Sequence, residues 1–210
     1  SNSNEGLYHT LFEKLVELYP DAVSLLNEQY RMNEKIMKFP SLALYNDQLL
    51  AAETVKNWSL DQDDEPLVFI DTAGAGYEET QEEGATFNQE EGTFLKKHFL
   101  EFLESLKSNY SEQDFPSIAV ITPYRRQASL LKELLLNDEN ILILSKFIQI
   151  NTIDSFQGQE KDIIYISLTR SNDEQQIGFL ADVRRMNVAM TRAKKKLIVI
   201  GDSATVGQHT

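Results

Sequence analysis

Two clusters in this chain have residue types and spacing suited to phosphate chemistry. In "NTIDSFQGQEKDIIYISLTRSN", which starts at Asn151, Gly158 stands between Gln157 and Gln159, directly before Glu160 and an apolar run. A glycine lets backbone approach a phosphate with no Cβ in the way, Gln157 can hydrogen-bond, and Glu160 can accept from ribose hydroxyls. The same glycine could equally make a tight turn, the commoner use of an isolated one. In "DVRRMNVAMTRAKKK", Arg185 and Arg192 lie seven positions apart beside Met186, Ala189, Met190 and Ala193, whose spacing marks a buried helical stripe. A guanidinium keeps its charge and forks onto phosphate oxygens, so two arginines at the edge of such a stripe could face another domain. The competing reading is a solvated basic helix whose residues 194–196 complement the dipole at its C-terminus. A third arginine, Arg31, follows Tyr30 in "NEQYRMNEKI". Tyr30 could stack on a base, or be a core aromatic beside a surface charge.

The elements that must position these residues alternate along the chain. Leucines 7, 11, 15 and 18 have helical spacing and stop before Pro20, and "AVSLL" suggests a short strand. "YRMNEKIMKFPSLALY" suggests a helix broken near Pro40, and "PLVFIDT" a strand followed by the turn-rich "AGAGYEE". Further helices are expected over residues 88–110, 124–136 and 184–194, with strands at "PSIAVITP", "IIYISL" and "KLIVIGD". The stretch "ILILSKFIQI" is apolar, and its first half is ambiguous between helix and strand. Strands that are apolar throughout are buried on both faces, and strands separated by helices need crossover connections. The expected fold is therefore α/β, one domain with a mostly parallel sheet and helices on both faces. An irregular insertion is expected over about residues 45–65. Ligands in such sheets collect at the carboxyl ends of strands, which singles out Thr122, Thr152, Thr169, Arg170 and Asp202.

Composition narrows the classes. A chain of 210 residues with 41% hydrophobic content can bury a proper core. It has no cysteine and three scattered histidines, which excludes disulfide partners and thiolate metal sites and makes a reducing, cytoplasmic setting the default. No run approaches the ~18 apolar residues of a membrane span, so no membrane partner is expected. The net charge of −13 seems to argue against nucleic acid, but its distribution matters. Residues 1–120 hold 8 Lys and Arg against 23 Asp and Glu, whereas residues 121–210 hold 12 against 10. Between Lys56 and Lys96 there is no basic residue, and the acids there, including Glu78, Glu79, Glu82 and Glu83, suggest a solvated, mobile face.

Four stretches in order, "LLNEQYRM", "ITPYRRQ", "INTIDSFQGQEKDIIYISLTRSN" and "GFLADVRRMNVAMTRAKKKLIVIGD", resemble the motifs of the second RecA-like domain of superfamily 1B helicases. The branch includes the nonsense-mediated decay helicase and the replication helicase-nucleases, and the resemblance runs from about residue 26 to 202. It implies a RecA-like three-layer fold over residues 21–210; residues 1–20 hold the N-terminal helix expected from leucine spacing, and the first two residues read as a cloning scar. It also implies ATP with Mg2+ as the nucleotide. Gln29 and Tyr30 would lie at the adenine, Arg31 at the γ-phosphate, Gly158 and Gln157 beside that phosphate, and Glu160 at the ribose. Arg192 would be the arginine finger, with Arg185 supporting it, and fingers of this kind are worth about 10³ to 10⁵ in rate. Thr122, Pro123, Tyr124 and Arg125, with Thr152, would meet the backbone of single-stranded nucleic acid, a contact largely blind to sequence.

The sequence contains no G-x-x-x-x-G-K-[ST] loop and no recognisable magnesium-holding acidic pair. The resemblance assigns those parts to a first RecA-like domain preceding residue 1, so the chain alone is expected not to hydrolyse ATP. "FIDTAGAGYEE" and the helix after Asn88 resemble the DNA-handling members more, which favours DNA over RNA. The alternative from another class is a degenerate RecA-like module that binds nucleic acid or protein without turnover.

Overall fold

The computed structural model describes residues 28–29, 50–51, 60, 65–156, 158–174, 176, 178 and 183–206. The expected helix over 7–19, the strand at "AVSLL", the broken helix around Pro40, most of the insertion over 45–65, and Tyr30, Arg31 and Gln157 lie outside those residues. A short parallel pair joins β1 (Glu28–Gln29) to β2 (Leu50–Ala51).

The central sheet contains β3 (Leu67–Asp71), β6 (Ile118–Thr122), β7 (Ile148–Thr152), β8 (Lys161–Ser167) and β9 (Ala193–Gly201). Its order is β3-β9-β8-β6-β7 and every pairing is parallel. All amino ends therefore lie on one edge and all carboxyl ends on the other.

The apolar strands β6, β8 and β9 are buried on both faces, as their composition requires, whereas β3, at the edge of the sheet, leaves Phe69 50% exposed. Ile118 and Val120 of β6, Ile163 and Tyr165 of β8, and Ile198 and Ile200 of β9 face one layer. That layer is closed by Leu95, Phe99, Leu103 and Leu106, which share one face of α1 (Gln89–Asn109), and by Leu131 and Leu135 of α2 (Arg125–Leu136). The alternate residues, Ala119, Ile121, Ile164, Ile166, Leu197 and Val199, face a second layer. Ile153 and Phe156 of the β7–β8 connection cover it, with Met186 and Ala189 of α4 (Val183–Met190). The ambiguous "ILILSKFIQI" divides into the end of a short helix, α3 (Glu139–Leu142), a 3-10 turn at Ser145–Phe147, and β7.

Two expectations are corrected. The helix over 184–194 ends at Met190, residues 191 and 192 turn, and Ala193 opens β9. The reason is pairing: Lys161 stands opposite Ala193, and the Lys161 amide donates to the Arg192 carbonyl at 3.1 Å, so the sheet claims backbone that a longer helix would use. Residues 194–196 are thus strand residues and complement no helix dipole. Lys196 is buried and donates to the Glu65 carbonyl at 2.7 Å. The second correction concerns the acidic stretch after β3. It holds an antiparallel hairpin, β4 (Thr80–Glu82) and β5 (Ala85–Phe87), whose two turn residues Glu83 and Gly84 both have positive φ, as a two-residue type I′ turn needs.

Candidate functional site

The residues singled out from the sequence divide between the two sheet edges. Gly158, Glu160 and Arg192 lie at the amino edge and not at the carboxyl ends of the strands, where ligands were expected to collect. The register explains their meeting. Glu160 and Arg192 immediately precede the paired residues Lys161 and Ala193, so two adjacent parallel strands start with a carboxylate on one and a guanidinium on the other. Glu160 lies 3.9 Å from the Lys194 ammonium, both about a third exposed. Gly158 has φ +78, a conformation that disfavours side chains, and a Cβ there would meet nothing within 4 Å, so its backbone faces open space. Arg185 on α4 is exposed and lies 3.7 Å from Asp154, in the connection that leads to Gly158. Among the described residues no group of His, Asp or Glu could hold a metal ion.

The carboxyl edge is built differently. Asn88 caps α1 by accepting from the Glu91 amide at 2.9 Å. Gln127 of α2 accepts from the Asn88 amide at 2.8 Å, and its side-chain amide donates to the Asn88 carbonyl and to the Ser167 hydroxyl. Ser167 donates to Glu91 Oε1, which also accepts from the Thr169 amide at 2.9 Å. The hydroxyls of Thr169 and Thr122 share a 3.1 Å hydrogen bond. Asn88, Glu91, Thr122, Gln127, Ser167 and Thr169 are all 0% exposed. Burial raises the Glu91 carboxyl to about 7 and the Asp202 charge adds to this, while the bonds from Ser167 and Thr169 oppose it. Its Oε2 finds no hydrogen-bond partner among the described residues.

Thr122 therefore does not offer its hydroxyl to solvent, because Thr169 and the fold around it take that group up. Pro123, Tyr124 and Thr152 are half-buried and Arg125 is exposed, so these present the outward surface of that edge. Arg170, singled out from the sequence by its place after a strand, is 6% exposed and donates from Nε to Glu79 at 2.8 Å. Glu79 is accordingly not part of a solvated face. Burial alone would raise its carboxyl, but hydrogen bonds from Arg170, Asn172 and Gln81 and the Arg170 charge hold it below the usual range.

Comparison with known proteins bears on the whole arrangement. Residues 7–204 match the AAA domain family. The chain belongs to that family. Over 96% of its length it is 43% identical to the DNA polymerase alpha-associated DNA helicase A of Saccharomyces cerevisiae. It is also 39% identical over 99% of its length to an uncharacterised ATP-dependent helicase of Methanocaldococcus jannaschii, and 36% identical over 97% to the DNA-binding protein SMUBP-2 of Mesocricetus auratus. The chain spans 31%, 31% and 21% of those relatives' lengths. Two of these relatives are named as helicases and the third as a DNA-binding protein.

Within this AAA domain, the motif reading named outward residues together with the buried Thr122 and missed the other buried polar ones. Asn88, Glu91, Gln127, Ser167 and Glu79 carry no role in it. One signal was present. Glu91 falls on the stripe that continues through Leu95, Phe99 and Leu103, where an acidic residue is out of place unless it has a buried partner. Asn88 and Glu91 also have capping-box spacing, which reads as a helix start and conceals the longer-range bonds.

Proposed function

We propose that this AAA domain is the C-terminal motor half of an ATP-dependent superfamily 1 helicase or translocase. The observation that carries the reading is the pairing of Lys161 with Ala193, which sets Glu160 and Arg192 side by side at the amino edge. Glu160 would accept from ribose hydroxyls, and the open backbone at Gly158 would approach the γ-phosphate. Arg192 would stabilise the charge that develops on the transferred phosphoryl group, with Arg185 supporting it and Tyr30 and Arg31 completing the pocket. Mg2+ neutralises phosphate charge when bound, and its ligands would come from a first RecA-like domain across the cleft. The relatives named as DNA helicases and DNA-binding proteins support single-stranded DNA as the track. Pro123, Tyr124, Arg125 and Thr152 would meet its backbone and bases, with Thr122 supporting them from within.

The test is Arg192→Ala in the full-length protein. Stimulated ATP turnover should fall by about 10³ or more with the fold intact, as expected when a cation aimed at the transferred group is lost. Turnover within a few-fold of the unaltered protein refutes the reading.

A further inference from the structure

The motif reading gives Arg170 no contact of its own, yet three separate segments converge on it. Its Nε donates to Glu79 at 2.8 Å, and Nη1 reaches the Tyr124 hydroxyl at 3.4 Å. The Glu79–Arg170 pair is almost fully buried, with side chains 5% and 7% exposed. Glu79 Oε2 also accepts from the Ser171 amide at 2.9 Å, and the Glu79 amide donates to the Ser171 carbonyl at 3.0 Å. On the other side of the turn, Glu91 takes the Thr169 amide and Thr169 has φ +72, a conformation a β-branched residue adopts only when its surroundings impose it. Two buried carboxylates thus fix the direction in which Arg170 leaves the turn. Gly178 closes the cluster: a Cβ there would lie 2.2 Å from Arg170 Nη1 and 3.1 Å from the Tyr124 hydroxyl.

We propose that Arg170, held by Glu79, is a positioning residue for Tyr124, fixing the orientation of its half-exposed ring through the phenol hydroxyl and so setting affinity for single-stranded nucleic acid. The inference rests on reading Tyr124 as part of the nucleic-acid track. The charge of Arg170 is spent on Glu79, so its effect on the strand passes through Tyr124 and not through a phosphate. A direct phosphate contact by Arg170 would make its loss strongly salt-dependent; a positioning role would not.

The experiment measures ATP turnover of the full-length protein against concentration of an oligo-dT strand, together with KM for ATP. Tyr124→Phe removes only the hydroxyl and should raise the half-saturating strand concentration about threefold to tenfold, the worth of a typical hydrogen bond, with KM for ATP unmoved. Glu79→Gln should do the same, and the double variant should be no worse than either single one, because both act on one link. Gly178→Ala, which pushes on the same link from the opposite side, keeps the proposal testable should Glu79→Gln fail to fold. Additive effects of Tyr124→Phe with Glu79→Gln or with Gly178→Ala, or no effect of Tyr124→Phe, overturn the proposal. Tyr124→Ala separates the two levels: an unchanged half-saturation there refutes the track reading itself, whereas a large rise beside a silent Tyr124→Phe refutes the positioning role alone.

Discussion

The two edges of one parallel sheet are organised on opposite principles. At the amino edge Glu160 and Lys194, and Arg185 and Asp154, are partly exposed and sit in long ion pairs of 3.9 Å and 3.7 Å. At the carboxyl edge six polar residues are sealed from solvent and joined by a continuous hydrogen-bond network from Asn88 through Gln127, Ser167, Glu91 and Thr169 to Thr122. Exposed pairs contribute little to stability, whereas a buried network costs heavily when a member is lost. An edge of the first kind suits a surface completed by another domain and rearranged in each cycle. An edge of the second kind suits a rigid platform that holds a strand in fixed register.

This contrast can be broken or sharpened by measurement. The largest effect belongs to Arg192→Ala at the amino edge, with its loss of about 10³ in stimulated turnover. Next comes Gln127→Ala at the carboxyl edge, which orphans the buried Asn88 amide and removes a bond to Ser167. Its unfolding free energy in urea should fall by about 3 to 4 kcal/mol, against less than about 1 kcal/mol for Lys194→Ala. Equal losses from both would erase the distinction between the edges.

A smaller effect comes from Glu91 and depends on pH. Its carboxyl is raised by burial to about 7 from an ordinary 4.5, so the folded state favours the protonated form. The associated stability is fully present below about pH 4.5 and is lost as pH rises through about 7, a swing on the order of 3 kcal/mol. Glu91→Gln does not titrate. Relative to it, the unaltered protein should therefore lose stability between about pH 5 and pH 8 in urea titrations. A constant difference across that range would show that Glu91 is not buried as a single uncharged group.

How much of this was legible in the sequence follows from which forces are local. The central strands β6, β8 and β9 and their two-faced burial were readable, because unbroken runs such as "IIYIS" have one stable destination, whereas the edge strand β3 leaves Phe69 exposed. Helix α4 was legible in type but not in length, since "TRAKKK" has good helical propensity and only the partner strand β8 decides that β9 starts at Ala193. Glu160 and Arg192 could be named from motif resemblance, yet the edge they occupy depends on strand register, which no local pattern encodes. Glu79 was misread for the same reason: an acid in an acidic run looks solvated until the fold brings it within 2.8 Å of Arg170, 91 positions away.

The central claim is a division of labour, with nucleotide at the amino edge and the strand at the carboxyl edge. The most direct test is Glu160→Ala in the full-length protein, with KM for ATP and half-saturation by oligo-dT measured side by side. The account expects KM for ATP to rise about tenfold, as for a lost hydrogen bond to a charged group, and strand half-saturation to move less than about twofold. An unchanged KM for ATP, or a shift confined to the strand, would contradict it.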